Sequence, residues 1–337
     1  MSKKIAFFDA KPYDIGSFDE VNKNFNFDIR YFTSHLTIDS VGVTSQGYDA
    51  VCVFVNDIVT QEIVDVLHEN NIKLIALRSA GYNNVDLSAA YGKIHIVRVP
   101  AYSPHAVAEH AVALMMALNR KTHRAFNRTR DNNFNIDGLL GFDMNGKTVG
   151  IVGTGKIGKV LIKILKGFGM DVLAFDLYPD KEYAKAVGFT YVDLDVLYSE
   201  SDVISLNAPL TKDTFHMINA ESLNKMKNGV MIINTGRGQL IDTKSLIGAL
   251  KTGKVGYAGL DVYEEEADFF FKDVSNKVLS DDVLARLLTF NNVLITSHQG
   301  FFTREALHNI AETTLQNMKD FFDNKPIVNE VCYKCDK

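Results

Sequence analysis

Three kinds of side chain that together can bind an anion and move a proton stand just after three apolar runs. Arg237 follows GVMIINTG, Asp261 and the trio Glu264, Glu265 and Glu266 follow VGYAGL, and His298 follows NVLITS. Imidazole exchanges its proton near neutral pH, which suits general acid–base work. It needs a partner for that work. A carboxylate beside His298 would favour the imidazolium and fix which ring nitrogen carries the proton. Arg237 lies in NTGRG, and its guanidinium fork matches a carboxylate through two parallel hydrogen bonds. The flanking Gly236 and Gly238 are expected to let that fork approach a ligand closely. Each group also has an ordinary explanation: a histidine hydrogen-bonded in packing, an arginine in a surface ion pair, an acidic run on a solvated face. For Glu265 we adopt the solvated face.

A second feature tells where such chemistry would take place. In TVGIVGTGKIGKVLIKIL, Gly153, Gly155 and Gly158 come directly after an apolar run and open an amphipathic stretch. A glycine at the first position allows a tight turn, one at the second lets backbone approach a pyrophosphate, and one at the third lets helix and strand pack closely. The N–H groups of Lys156 and Ile157 would then belong to a helix start that attracts phosphate. The next run, DVLAFD, ends in Asp176, where a carboxylate can accept from both ribose hydroxyls and repel a 2′-phosphate. LYPD after it supplies no cation for such a phosphate, so NAD is expected over NADP. A methyltransferase using S-adenosylmethionine shares a glycine turn and an acidic residue, but does not need an Arg, a carboxylate and a His at later strand ends.

These groups must be positioned by sheets. IAFFDA (5–10), FDIRYF (27–32), AVCVFV (50–55), KLIALRS (73–79) and IHIVRVP (94–100) read as strands separated by amphipathic stretches. One of these stretches sets Ile58, Ile63, Val66 and Leu67 on one face. After Ser103 and Pro104, a capping pair, a single long helix is expected to about Arg130. His105, His110 and His123 lie in it at spacings that make no zinc site. A second series follows at 148–153, 171–176, 202–209, 229–238, 255–263 and 292–298, then a helix over about 303–324 and PIVNEV. Alternation of this kind makes parallel sheets covered on both faces. We therefore expect an α/β protein of two doubly wound parallel-sheet domains. One is discontinuous, over 1–101 and 299–337, and the other spans 102–298.

The composition fits. The 337 residues are too many for one ordinary core, and the net charge of −5 argues against a nucleic-acid or membrane binder. The apolar run after the two N-terminal lysines is too short for the h-region of a secretion signal, no stretch approaches the ~18 apolar residues of a membrane span, and three cysteines suit a reducing cytoplasm. Cys332 and Cys335 form one C-x-x-C, half a zinc site at most, which we read as an inert tail. No metal is expected.

Taken in order, RSAGYNNVDL, VPAYSPHAVAEHAV, GKTVGIVGTGKIG, MKNGVMIINTGRG, GLDVYEEE and ITSHQGFFT resemble the D-isomer-specific 2-hydroxyacid dehydrogenase family, and within it the fermentative D-lactate dehydrogenases of bacteria. The likeness covers nearly the whole chain. It implies a Rossmann-type cofactor domain and a flavodoxin-like substrate domain. It also implies a catalytic set of Arg237, Glu266 (five residues past Asp261) and His298, with Asp261 a secondary carboxylate. Substrate would be held by the turn Ser79-Ala80-Gly81 and lined by Tyr102 and Phe301. NAD would meet Gly153, Gly155, Lys156, Ile157, Gly158, Asp176, Asn207, Pro209, Thr235, Gly236, Arg237, Asp261 and His298. Formate dehydrogenases of the same superfamily carry Gln at the position of Glu266. The stretch NAP (207–209) lacks the His or Cys frequent there, and Gly300 stands where Ala is frequent.

The implied activity is reversible reduction of pyruvate to D-lactate by NADH in a cytoplasmic homo-oligomer, dimer or tetramer, with the domains closing on the ligand. Hydroxypyruvate, glyoxylate or a larger 2-keto acid are alternative substrates. An NAD-sensing corepressor is an alternative role.

Overall fold

A computed structural model describes residues 2–266 and 269–334. The chain divides into two compact units, Met1–Ser103 with Phe302–Lys337, and Pro104–Phe301.

In the first unit, β1 (Lys4–Phe7), β2 (Asp28–Tyr31), β3 (Ala50–Val53), β4 (Leu74–Leu77) and β5 (His95–Val97) run parallel in the order β2-β1-β3-β4-β5. That is the flavodoxin-like order. β3 and β4 are buried at every position, as strands covered on both faces must be. The helix Gln61–Glu69 buries Ile63, Val64 and Leu67, while Ile58 precedes it and is exposed. The buried thiol of Cys52 is pushed by desolvation up to about 12, so it is an inert core residue.

The second unit holds β6 (Thr148–Val152), β7 (Asp171–Phe175), β8 (Thr190–Tyr191), β9 (Val203–Leu206), β10 (Val230–Asn234), β11 (Val255–Leu260) and β12 (Val293–Ile295). All seven are parallel, in the order β12-β11-β10-β9-β6-β7-β8. From β8 inward this reads as the Rossmann order, with the chain reversing direction between β6 and β9. Apolar clusters cover both faces. On one face, Leu161, Ile162 and Leu165 of the helix Lys156–Gly167 are fully buried, each contributing about 1.5–3 kcal/mol. They hold the helix start at the end of β6.

The expected single helix beyond Pro104 is instead two, Pro104–Arg120 and Thr122–Arg130. Lys121 between them is left-handed, with φ 50°. The break follows from a long-range demand. The buried Asn119 side chain donates to the carbonyl of Phe142 and accepts from its N–H, at 2.7 and 2.8 Å. The chain must therefore fold back on the first helix.

The helix Arg304–Phe322 belongs to the first unit and is capped by the Thr303 hydroxyl, which accepts from Ala306 N–H. A short strand after it, β13 (Glu330–Val331), pairs antiparallel with β5. Of the C-x-x-C pair, Cys335 lies outside the described residues. No helix among the described residues is long and apolar enough to cross a membrane.

Candidate active site

Parallel strands end on one edge, and across that edge the second unit sets out its polar residues in a row. From one side to the other come Asp176 after β7, Gly153 after β6, Asn207 after β9, Thr235–Arg237 after β10, Asp261 after β11 and His298 after β12.

The glycines act as their positions require. Gly153 has φ 92°, and a Cβ there would come within 2.8 Å of the Asn207 carbonyl and Ala208 N. A Cβ on Gly158 would come within 2.1 Å of the Gly153 carbonyl oxygen, whereas Gly155 faces open space. Asp176 is tied to this loop: one oxygen accepts from Thr154 N–H and hydroxyl at 2.6 and 3.0 Å, the other from Tyr178 N–H at 2.9 Å. Burial raises the affinity of this carboxyl for a proton. The N–H groups of Tyr178 and Thr154, the Thr154 hydroxyl and the Lys159 ammonium outweigh that effect, so Asp176 titrates below the usual carboxylate value and stays charged.

At the other end, His298 Nδ1 lies 2.7 Å from Glu266 Oε1, and Glu266 Oε2 accepts from Tyr263 N–H at 3.0 Å. Nδ1–H donates to the carboxylate, leaving Nε2 as the nitrogen that can meet a ligand. The Phe271 ring centroid lies 5.9 Å from that of His298.

His298 is left-handed, with φ 53°, a conformation that costs a non-glycine residue roughly 1–2 kcal/mol. Asp261 holds it there. Its carbonyl accepts from His298 N–H at 2.7 Å. Its carboxylate accepts from Thr296 hydroxyl at 2.6 Å and from the N–H groups of Gln299 and Gly300 at 2.9 and 2.7 Å. His110 Nε2 stands 3.2 Å from the same carboxylate and 3.0 Å from the Thr296 hydroxyl. Burial pushes the Asp261 carboxyl up, and the bonds from His110, Thr296 and Gln299 bring it below its ordinary value. Expected as a second carboxylate for the histidine, Asp261 is engaged by the backbone of the histidine's own turn. A Cβ on Gly300 would sit 2.9 Å from Asp261 Oδ2, which accounts for glycine there.

Arg237 is half-buried, with Nη1 donating to the Gly236 carbonyl at 2.7 Å. Buried Asn234 shapes its turn, accepting from Gly236 N–H at 3.0 Å and donating to the Arg237 carbonyl at 2.8 Å. Gly238 has a different reason from the one expected: a Cβ would come within 2.1–2.5 Å of the Tyr263–Glu264 peptide. That glycine serves packing behind the arginine, not the approach of a ligand.

Sequence reasoning missed Asn234, Thr296 and His110. The signal was there in each case, a polar residue inside an apolar run or helix face, but its partner is far away in the chain.

The remaining expected residues divide between the units. Phe301 is buried in the second. In the first, Ser79 hydroxyl donates to the Gly81 carbonyl at 2.8 Å, Arg98 donates to the Ala80 carbonyl at 2.8 Å, and the Tyr102 carbonyl accepts from Asn309 at 2.6 Å.

Comparison with known proteins decides the family. Residues 112–300 match the family described as D-isomer specific 2-hydroxyacid dehydrogenase, NAD binding domain. D-lactate dehydrogenase of Escherichia coli is 51% identical over 329 residues, covering 97% of this chain and 99% of that enzyme. This chain belongs to the D-isomer-specific 2-hydroxyacid dehydrogenase family. Members of this family are NAD-dependent oxidoreductases, and the methyltransferase alternative is set aside. The solved apo-structure of the Escherichia coli enzyme overlays with a TM-score of 0.90 at 49% identity, covering 97% of this chain and 99% of that one. The pyruvate reductase of Chlamydomonas reinhardtii overlays with a TM-score of 0.92 at 41% identity, covering 97% and 98%.

The dehydrogenase's sheet edge fits NAD. The open face at Gly155 admits a pyrophosphate beside the helix start, and charged Asp176 suits a ribose. Two buried polar atoms farther along, Asn207 Oδ1 and Thr235 Oγ1, have no hydrogen-bond partner among the described residues. Buried polar atoms demand partners, and a nicotinamide at this end of the edge would offer them. Because Asp176 repels a 2′-phosphate, kcat/KM with NADH should far exceed that with NADPH. Asp176→Ala should narrow the ratio without inverting it, since no cation replaces the charge. Equal wild-type values for the two cofactors would remove Asp176 as the selector.

Proposed function

We propose that the protein reduces pyruvate to D-lactate, reversibly, with Arg237, Glu266 and His298 as its catalytic residues. The observation that carries this reading is the His298–Glu266 pair at 2.7 Å, two strands along the sheet edge from Arg237. NADH, when bound, supplies the hydride for the keto carbon. Arg237 binds the substrate carboxylate through its fork and polarises the carbonyl. His298 Nε2–H gives its proton to the carbonyl oxygen as the alcohol forms. Glu266 holds the imidazolium before that transfer and the Nδ1–H tautomer after it. Asp261, through Thr296, Gln299 and Gly300, keeps the ring in place.

Substrate is further assigned to the backbone of Ser79, Ala80 and Gly81, with Tyr102 and Phe301 lining it, so that the unit Met1–Ser103 with Phe302–Lys337 acts as the substrate domain. Phe126, Phe134, Ile136 and Leu140 are more than half exposed on the second unit, and the helix Thr122–Arg130 has no buried residue. Large apolar side chains exposed in one stretch of chain support self-association, hence a homo-oligomer. The need for an NADH pool supports a cytoplasmic location.

The test is NADH oxidation with a panel of 2-keto acids, scored by kcat/KM, with the chirality of the product determined. Pyruvate should lead and give the D-isomer. A higher value for hydroxypyruvate, glyoxylate or a branched 2-keto acid would reassign the substrate, and no turnover with any of them would favour an NAD-sensing role.

A further inference from the structure

A second histidine–glutamate pair lies behind the arginine turn. His216 Nε2 is 2.6 Å from Glu264 Oε1. Glu264 Oε2 accepts from the N–H of Thr243 at 2.8 Å, the first residue of the helix Thr243–Thr252. His216 is left-handed, with φ 49°. The backbone around it is laced to the 3₁₀ turn Gly238–Leu240 that follows Arg237. His216 N–H donates to Gln239 at 2.9 Å, Ile218 N–H to Leu240 at 3.0 Å, and Asp242 N–H to Ile218 at 2.8 Å.

The other side of the turn rests on the peptide that carries Glu264, where even a Cβ on Gly238 has no room. The same short segment, 263–266, therefore holds two carboxylates that serve two histidines. Glu266 meets His298, and Glu264 meets His216. Both members of the second pair are partly exposed, with side-chain exposures of 31% and 19%. Their charge attraction alone is worth little. As a hydrogen-bonded latch joining the 216–218 loop, the Thr243 helix start and the seat of the arginine turn, the pair instead fixes geometry.

We propose that His216 and Glu264 are positioning residues for Arg237, holding its turn so that the guanidinium meets the substrate carboxylate with both arms. This rests on Arg237 being the carboxylate clamp. Neither residue needs to touch substrate or cofactor.

The test is steady-state kinetics of the full-length enzyme with pyruvate and NADH, alongside thermal melting. Glu264→Gln keeps the shape but has an acceptor at only one end, so it can no longer accept from both His216 and Thr243. His216→Ala removes the donor, and His216→Gln restores an N–H at nearly the same place. We expect KM for pyruvate to rise roughly 10-fold in Glu264→Gln and His216→Ala, the scale on which small misplacements act. KM for NADH should stay unchanged, and His216→Gln should recover most of the loss. If His216→Ala does not fold, Glu264→Gln carries the test.

A lower melting temperature with KM for pyruvate unchanged would show a merely structural pair and overturn the proposal. So would failure of His216→Gln to recover the KM lost in a folded His216→Ala. Arg237→Lys in the same series separates the two layers. If it leaves KM for pyruvate unchanged, the clamp reading itself fails. If it raises KM while the pair's variants do not, only the positioning role fails.

Discussion

His298→Gln should lose roughly 10²–10⁴ in kcat for pyruvate reduction, the usual worth of a positioned proton donor. The amide keeps a polar side chain at the strand end but has no proton to give at neutral pH. The alkoxide that develops as hydride arrives must then take its proton from water. Because Nδ1 is engaged by Glu266 at 2.7 Å, the loss falls on transfer through Nε2 and not on a binding contact. NADH affinity, measured by fluorescence titration, should therefore stay close to the wild type. A kcat within a few-fold of wild type would mean that another group or water supplies the proton. A folded protein that no longer binds NADH would instead make cofactor binding, not proton transfer, the main role of His298.

Arg237→Lys should reduce kcat/KM for pyruvate roughly 10- to 150-fold, mainly through KM. Lysine keeps the charge but offers a point donor in place of the fork, so one of two charge-assisted hydrogen bonds is lost, worth about 1.5–3 kcal/mol. Some of the loss should fall on kcat, because a substrate held by one contact swings away from the hydride donor. A KM for pyruvate equal to that of the wild type would show that the carboxylate is bound elsewhere.

Much of this was legible in the sequence because the local signals and the long-range demands agree. Parallel strands buried on both faces read as unbroken apolar runs, and VMIIN and AVCV are buried at every position. The three glycines of the phosphate turn are separated by the spacing their contacts require. The break at Lys121 was not legible, since nothing within Pro104–Arg130 forbids a continuous helix. The cause is Phe142, 23 residues from the Asn119 that binds it.

The same holds for the support of the site. Asp261 and Glu264 were visible as carboxylates beside His298, but only the fold shows Asp261 holding the 298–300 turn and Glu264 bound to His216 and Thr243. A chain with six acidic or basic groups near three strand ends does not say which pairs will meet. Gly238 misled for a related reason: a glycine beside an arginine reads as room for a ligand, while its neighbour here is the Tyr263–Glu264 peptide, far along the chain.

The central claim is that His298 donates a proton and that Glu266 keeps it charged to do so. Glu266→Gln removes the charge and keeps the shape, so the most direct measurement is the pH profile of kcat/KM for pyruvate in this variant beside the wild type. Reduction needs the imidazolium, so activity falls on the alkaline side as that form is lost. Without the carboxylate that loss comes earlier, and the alkaline limb should move to lower pH. With Asp261 and Glu264 already engaged elsewhere, neither can take over. An alkaline limb at the same pH in both proteins would contradict the account.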